Sequence, residues 1–168
     1  MPYRGRWDHA ANPKGLKEYP VAAATVIAVG DLCIWDPVTL KILPASSTTL
    51  WGSNEATSRV NLADKFVGIA HSAHAAAGDE GDMVRVGGRG VYSMPVGTAV
   101  AFEIGDWVGG DKDSGGNFLY AQSVEKVTVH DEAIGLVVRR YAAATGIVEF
   151  EIKGLHELGG GQRQFLTS

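Results

Sequence analysis

The chain has 168 residues, with fifteen Lys and Arg against nineteen Asp and Glu, for a formal net charge of -4. That balance offers nothing to a polyanion, so direct nucleic-acid binding is not expected, and no run approaches the roughly 18 apolar residues of a membrane helix. With 45% hydrophobic and 20% charged residues, the composition is that of a globular domain able to build its core without metal or disulfide.

Residues 1–20 carry Pro2, Pro13 and Pro20 with Tyr3, Trp7 and Tyr19, and show no helical or strand period. Proline opposes both helix and ladder pairing, so the segment reads as an extended N-terminal arm whose aromatics rest on another surface or, in the alternative, whose Trp7 tucks onto its own domain. The lone Cys33 lies in an apolar run, where a thiol packs as a small hydrophobe, and it excludes an intramolecular disulfide. It points to a reducing, intracellular site of folding, and the polar start lacks the apolar core of a secretion signal. SNEATSRVNLADKF, residues 53–66, is the one stretch with a helical reading, with Ser53 or Asn54 as N-cap. Elsewhere the pattern is β-like: Val84 and Val86 flank Arg85, and Val148, Phe150 and Ile152 alternate with Glu149, Glu151 and Lys153. The end, GLHELGGGQRQFLTS, reads as a flexible tail over residues 155–168 with Phe165 and Leu166 at its tip.

The chain also repeats itself. VIAVGDLCIWD at 26–36 aligns without a gap on AFEIGDWVGGD at 101–111; FVGIA at 66–70 matches AIGLV at 133–137; VRVGGRG at 84–90 matches VEFEIKG at 148–154. The expected fold is therefore all-β: a single compact β-barrel or β-sandwich-like domain over 21–154, built from two similar halves at about 26–90 and 101–154. Neither half is expected to bury an apolar face alone, so the two should form one closed or nearly closed structure. The pairs Gly30-Asp31, Gly81-Asp82 and Gly105-Asp106 then read as structural turns. Glycine supplies positive φ and the carboxylate holds nearby backbone N–H groups in an Asx-turn, so Asp31→Asn should cost little.

Several motifs invite a chemical reading and are weaker than a turn or scaffold explanation. DSGG at 113–116, with histidines upstream in AHSAH, is similar to the nucleophile motif of trypsin-like proteases, but Lys112 and Asn117 stand where that family has Gly and Pro. DKDSGGNF starts like a calcium loop, but Gly115 and Gln122 occupy positions that require acidic ligands. His71 and His74 lack further metal-ligand spacing and read as surface or interface residues. Arg85, Arg89, Arg139 and Arg140, on strands of mixed charge, read as a solvated face or as ion-pair partners. Catalytic, cofactor and metal residues are accordingly expected to be absent.

FVGIAHSAHAAAGDEGDMVRVGGRGVYSMP, with VGDLCIWD before it and IGDWVGGD after it, resembles the degenerate, glycine-driven pattern of tailed-phage capsid decoration proteins, also called cement proteins. The resemblance runs from about Val21 to Gly154 and implies a non-enzymatic virion protein without cofactor. It would be made in the host cytoplasm, sit on the outer surface of an icosahedral head, bridge neighbouring major capsid proteins, and associate with itself, a trimer being favoured. On that reading Tyr3, Trp7, Tyr19, Trp35, Phe165 and Leu166 are candidate capsid or subunit contacts, with no membrane or direct nucleic-acid partner. The competing reading is a β-barrel ligand-binding or hydrolytic domain of a phage or bacterial operon, its site lined by the acidic loops at Asp79 to Asp82 or Asp111 to Asp113.

Overall fold

A computed structural model describes residues 16–156. Among these, ten strands and one α-helix follow in order: β1 (Leu16–Pro20), β2 (Leu32–Asp36), β3 (Lys41–Pro44), α1 (Glu55–Lys65), β4 (Phe66–Ala70), β5 (Met83–Gly87), β6 (Arg89–Phe102), β7 (Trp107–Lys112), β8 (Leu119–Val127), β9 (Ala133–Val137) and β10 (Tyr141–Lys153). No helix among the described residues is long and apolar enough to cross a membrane.

The expectation of an all-β fold from two similar halves holds, and the likeness of the halves is closer than the sequence suggested. The first sheet has the order β1-β5-β4-β2-β3, while the second is a closed barrel, β10-β6-β8-β7-β9. Read from β6, the closed order is β6-β10-β9-β7-β8, which is the first order with every label raised by five. Closure repeats as well. Val96 of β6 pairs in parallel with Val124 of β8 and seals the second barrel, and Val21, just beyond β1, makes the matching parallel bridge to Ile42 of β3. The first sheet is thus curled until its edges touch at one point.

Register is conserved between the halves down to the irregularities. Leu32, Cys33 and Ile34 pair with Ile69, Gly68 and Phe66, slipping between Cys33 and Ile34; Trp107, Val108 and Gly109 pair with Leu136, Gly135 and Ala133, slipping at the corresponding step. A bulge of this kind brings backbones close, which explains the glycine inside each [VI]-G-[IL] strand. A Cβ on Gly68 would lie 2.1 Å from the Gly87 carbonyl oxygen, and one on Gly135 would lie 2.5 Å from that of Glu151.

Two features depart from the sequence reading. Leu16–Pro20 belongs to the sheet, not to an arm: β1 pairs along its whole length with β5, from Leu16↔Gly87 to Pro20↔Met83. Proline is tolerated there because β1 is an edge strand of the sheet. The repeat also starts earlier than Val26, since Tyr19-Pro20-Val21 occupies the positions of Met94-Pro95-Val96 in the same frame of 75. Secondly, each half encloses its own apolar interior. Tyr19, Val21, Cys33, Ile42, Val84 and Val86 cluster in the first half, and their counterparts Met94, Val96, Val108, Val124, Val148 and Phe150 lie in the core of the second. Small side chains such as Cys33 and Ala70 are enough to fill so narrow a barrel.

The halves are joined by the outward face of β2 and β4. Leu32, Ile34, Phe66 and Ile69 point away from the first interior and share one continuous core with the second barrel. Burying a side chain such as Phe66, 1% exposed, contributes roughly 2–3 kcal/mol. Helix α1 completes this core. Its N-cap is Asn54, whose side chain accepts from the Thr57 N–H, Glu55 and Lys65 match the helix dipole at either end, and Ser58, Leu62 and Ala63 form the buried side. Beyond β10 the chain returns to the first half, where the Leu155 N–H donates to the Phe66 carbonyl at 2.7 Å.

Gly68→Ala is expected to cost at least about 3 kcal/mol, because backbone atoms occupy the place of the methyl group. Gly81, at φ +84 with nothing within 4 Å, should lose only about 1 kcal/mol as Ala. Equilibrium urea denaturation of the two variants measures the contrast.

Candidate functional site

The pairs Gly30-Asp31, Gly81-Asp82 and Gly105-Asp106 each end a four-residue turn of one design. In Ala28–Asp31, Glu103–Asp106 and Asp79–Asp82 the last N–H donates to the first carbonyl at 3.1, 3.2 and 3.3 Å, and the third residue is Gly30 (φ 97), Gly105 (φ 88) or Gly81 (φ 84). This is the type II pattern, in which the third residue needs positive φ. In all three the Asp Oδ2 reaches back to accept from the N–H of the first residue, at 2.8 Å for Ala28 and Glu103 and 2.9 Å for Asp79. The structural-turn role therefore stands, but the bond runs backward by three residues where an Asx-turn runs forward. Forward Asx-turns occur at Asp36, which accepts from Val38, and at Asp113, which accepts from Gly115.

The glycine and aspartate backbones then clamp a neighbouring strand. Gly30 N–H donates to Ala70 O and Ala70 N–H to Asp31 O; Gly105, Val137 and Asp106 repeat the exchange, as do Gly81, Val21 and Asp82, all at 2.8–2.9 Å. What differs is the second side of each carboxylate. Asp31, 6% exposed, also accepts at Oδ1 from Gln122 Nε2 at 2.8 Å, and the same amide lies 3.3 Å from the Val29 carbonyl. Asp106 instead holds Lys126. Its burial works against ionisation, but the hydrogen bonds from Lys126 and the Glu103 N–H, with the lysine charge, bring its carboxyl below the ordinary range.

The carboxylates outside the turns are also taken up by the scaffold. Asp36 and Asp111, matched by the repeat, have different roles: Asp36 is held below the ordinary range by the Thr39 hydroxyl and the Val38 N–H, whereas burial pushes Asp111 up. Asp111 accepts from the Ser123 hydroxyl at 2.8 Å and lies over Gly97, where a Cβ would be 2.2 Å from Oδ2. Asp113 is occupied in its own hairpin, so DKDSGGNF is a turn between β7 and β8. Among the described residues no cluster of three or more His, Cys, Asp or Glu is placed to hold a metal ion.

His74 corrects the expectation of a surface histidine. It is 5% exposed, and its Nδ1 donates to the Thr25 carbonyl at 2.6 Å, pinning the loop after β1. His71 is half-buried and hydrogen-bonded through Nε2 to the Tyr92 hydroxyl at 2.9 Å; burial and then Arg85 lower its pKa. Cys33 is fully buried, and desolvation raises its thiol pKa far above the usual value, as befits a core residue. Arg139 and Arg140 pair with Glu149 and Glu103, as expected of ion-pair partners on strands of mixed charge.

Of the proposed contact residues, Tyr3, Trp7, Phe165 and Leu166 lie outside the described residues. Tyr19 is corrected to a core position, 7% exposed. Its hydroxyl is 3.0 Å from His156 Nδ1, its ring stacks on His156 at 5.6 Å, and Trp35 meets the two rings at 6.0 and 5.3 Å. Alternation explains the placement, because Tyr19 pairs with the inward-facing Val84. Trp35 is only half-buried, so its outer side remains accessible. Residues 155 and 156 are likewise part of the folded unit and not of a tail.

No family model matches the chain, and no curated protein matches it. Among solved structures it is similar to the N base of the head fibre protein gp8.5 of bacteriophage phi29, at 12% identity and a TM-score of 0.40, with 84% of this chain and 99% of that chain covered.

The sequence reading missed Arg59. From α1, its Nε donates to the Gly110 carbonyl at 2.9 Å, Nη1 to Glu132 at 3.2 Å, and Nη2 meets both Glu55 and Glu125. Only Glu55-x-x-x-Arg59 was visible as a helical pair; Glu125 and Glu132 come from β8 and the loop before β9. Arg59→Lys should lose about 2–4 kcal/mol, since one ammonium cannot span the fork and leaves the poorly exposed glutamates uncompensated. A urea titration reads this, and an unchanged midpoint would show that the clasp contributes nothing. Asp31→Asn should cost about 1–2 kcal/mol, contrary to the first expectation, because an amide NH2 must then face either the Ala28 N–H or the Gln122 amide. The same change at the exposed Asp82 serves as the reference and should cost less.

Proposed function

We propose that this chain is a structural protein of a tailed-phage virion, one that binds the outside of an icosahedral head and bridges neighbouring major capsid proteins. The observation that carries the reading is the decoration-protein pattern spanning Val21 to Gly154, in which Gly30, Gly81 and Gly105 fall on type II turns and Gly68 and Gly135 at bulges of the two halves. Its G-D-[LVW] and [VI]-G-[IV]-A elements are the parts that clamp strand to strand. Two further features support it. In the two acidic loops Glu80, Asp82, Asp111 and Asp113 are engaged in turns, an ion pair and hydrogen bonds, as are His71 and His74. Large apolar side chains are exposed at hairpin tips and outer faces, Val38 at 87%, Ile104 at 70% and Leu40 at 60%, the distribution suited to multiple shallow contacts.

A shell under internal pressure gains from many copies that each clamp adjacent subunits, because valency multiplies individually weak contacts. The N-terminal segment with Tyr3 and Trp7 suits anchoring on a neighbour, since an extended peptide covers much area per residue. Purified protein mixed with empty tailed-phage heads should cosediment to saturation and raise the temperature at which the heads rupture. Trp7→Ala should reduce both occupancy and that protection. Absence of binding to heads of its own phage would rule the proposal out.

A further inference from the structure

The repeat makes one half a key to the other. Gly105, Asp106, Trp107, Lys126, Val127 and Thr128 line an open depression of about 330 Å3 on the second barrel. The frames that superpose the halves put Gly30, Asp31, Leu32, Pro44, Ala45 and Ser46 in the same places. In the first half all of these but Ser46 are buried; in the second only Val127 is. The first site is buried because the second barrel sits on it: Gln122 of β8 supplies its amide to Asp31 and Val29, and Leu32 joins the shared core. The second site carries the same turn, with Trp107 in the place of Leu32, and the exposed Ile104 (70%) and Val129 (47%) at its margins.

We infer that the depression at Gly105–Trp107 receives the β2-β3 hairpin of a second copy of this chain, in a head-to-tail contact that repeats the one made internally. The frame that puts Ile42 on Val124 puts Leu40 on Gln122, so the element corresponding to the internal guest is the hairpin Pro37–Leu40. Its apolar residues Val38 and Leu40 are exposed at 87% and 60%, at a tip held rigid by the Asp36 bonds to Val38 and Thr39. Host and guest have changed together. Inside the chain a small Leu32 and a carboxylate receive an amide; between chains a larger Trp107 surface, rimmed by Ile104 and Val129, receives two aliphatic side chains. Such a contact is heterologous, each copy giving one hairpin and receiving one, and it makes a ring where the rotation closes.

Self-contact and shell binding are separable, so the experiment uses the full chain without heads. Sedimentation velocity over a wide concentration range should show reversible association of the wild-type protein. Val38→Glu on the hairpin and Ile104→Glu beside the depression, both at exposed positions, should each weaken it by roughly tenfold or more without moving the thermal transition. An equal mixture of the two variants should form a one-to-one pair that grows no further, because one keeps an intact depression and the other an intact hairpin. A wild-type chain that stays monomeric up to millimolar concentration overturns the inference. So does wild-type association by either variant, or folded variants that fail to pair with each other, which would mark an isologous contact. Loss of head binding with self-association intact would count against the shell reading alone.

Discussion

The fold depends on a backbone conformation that only glycine adopts cheaply, locked by a carboxylate one residue later. At Gly30, Gly81 and Gly105 the chain must turn with positive φ, and the following Asp reaches back to an N–H that the turn leaves outside any ladder. The carboxylate gives that N–H a charged acceptor within the turn, which favours the closed turn geometry. The next strand then starts in fixed register, because the glycine N–H and the aspartate carbonyl both bond the adjacent strand. A one-residue slip would send every core side chain to the wrong face, and three clamps of the same kind prevent it.

The unit occurs twice, as a curled sheet and a closed barrel with equal plans and unequal surroundings. In the first, the outer face of β2 and β4 became an internal interface; in the second, the equivalent face kept a half-exposed Trp107 and acquired Lys126 as partner for its turn aspartate. The divergence of Asp36 and Asp111 has the same origin. Asp36 sits at a solvent-facing hairpin, where Thr39 and a backbone N–H stabilise its charge. Asp111 lies beneath the core-forming helix, where Gly97 makes room for it and desolvation disfavours its charge.

Much of this was legible in the letters, and the limits have physical causes. Strand alternation, the helix with its Asn54 cap, and the structural role of the Gly-Asp pairs rest on local sequence, which period and turn chemistry report directly. The repeat was visible for the same reason. Its beginning at Tyr19 was hidden because Pro20 argued against a strand, and an edge strand tolerates proline. His74 and Tyr19 were placed on surfaces because their burial depends on what crosses over them, a carbonyl at Thr25 and a ring at His156, each far away in sequence. Arg59 was invisible for that reason too, with three of its partners 51 to 73 residues away.

The first sheet, despite its own core, is tied to the rest of the chain by contacts outside it. Its edge strands meet at one bridge, Val21 to Ile42, the counterpart of the single Val96–Val124 pair between β6 and β8. The open seam is held from outside. His156, carried back by the end of β10, packs against Tyr19 and Trp35, and Lys17 donates to the His156 carbonyl. Helix α1, encoded within the first half, spends its one arginine on the second. Each half therefore supplies a part that packs on the other, α1 from the first and His156 from the end of the second.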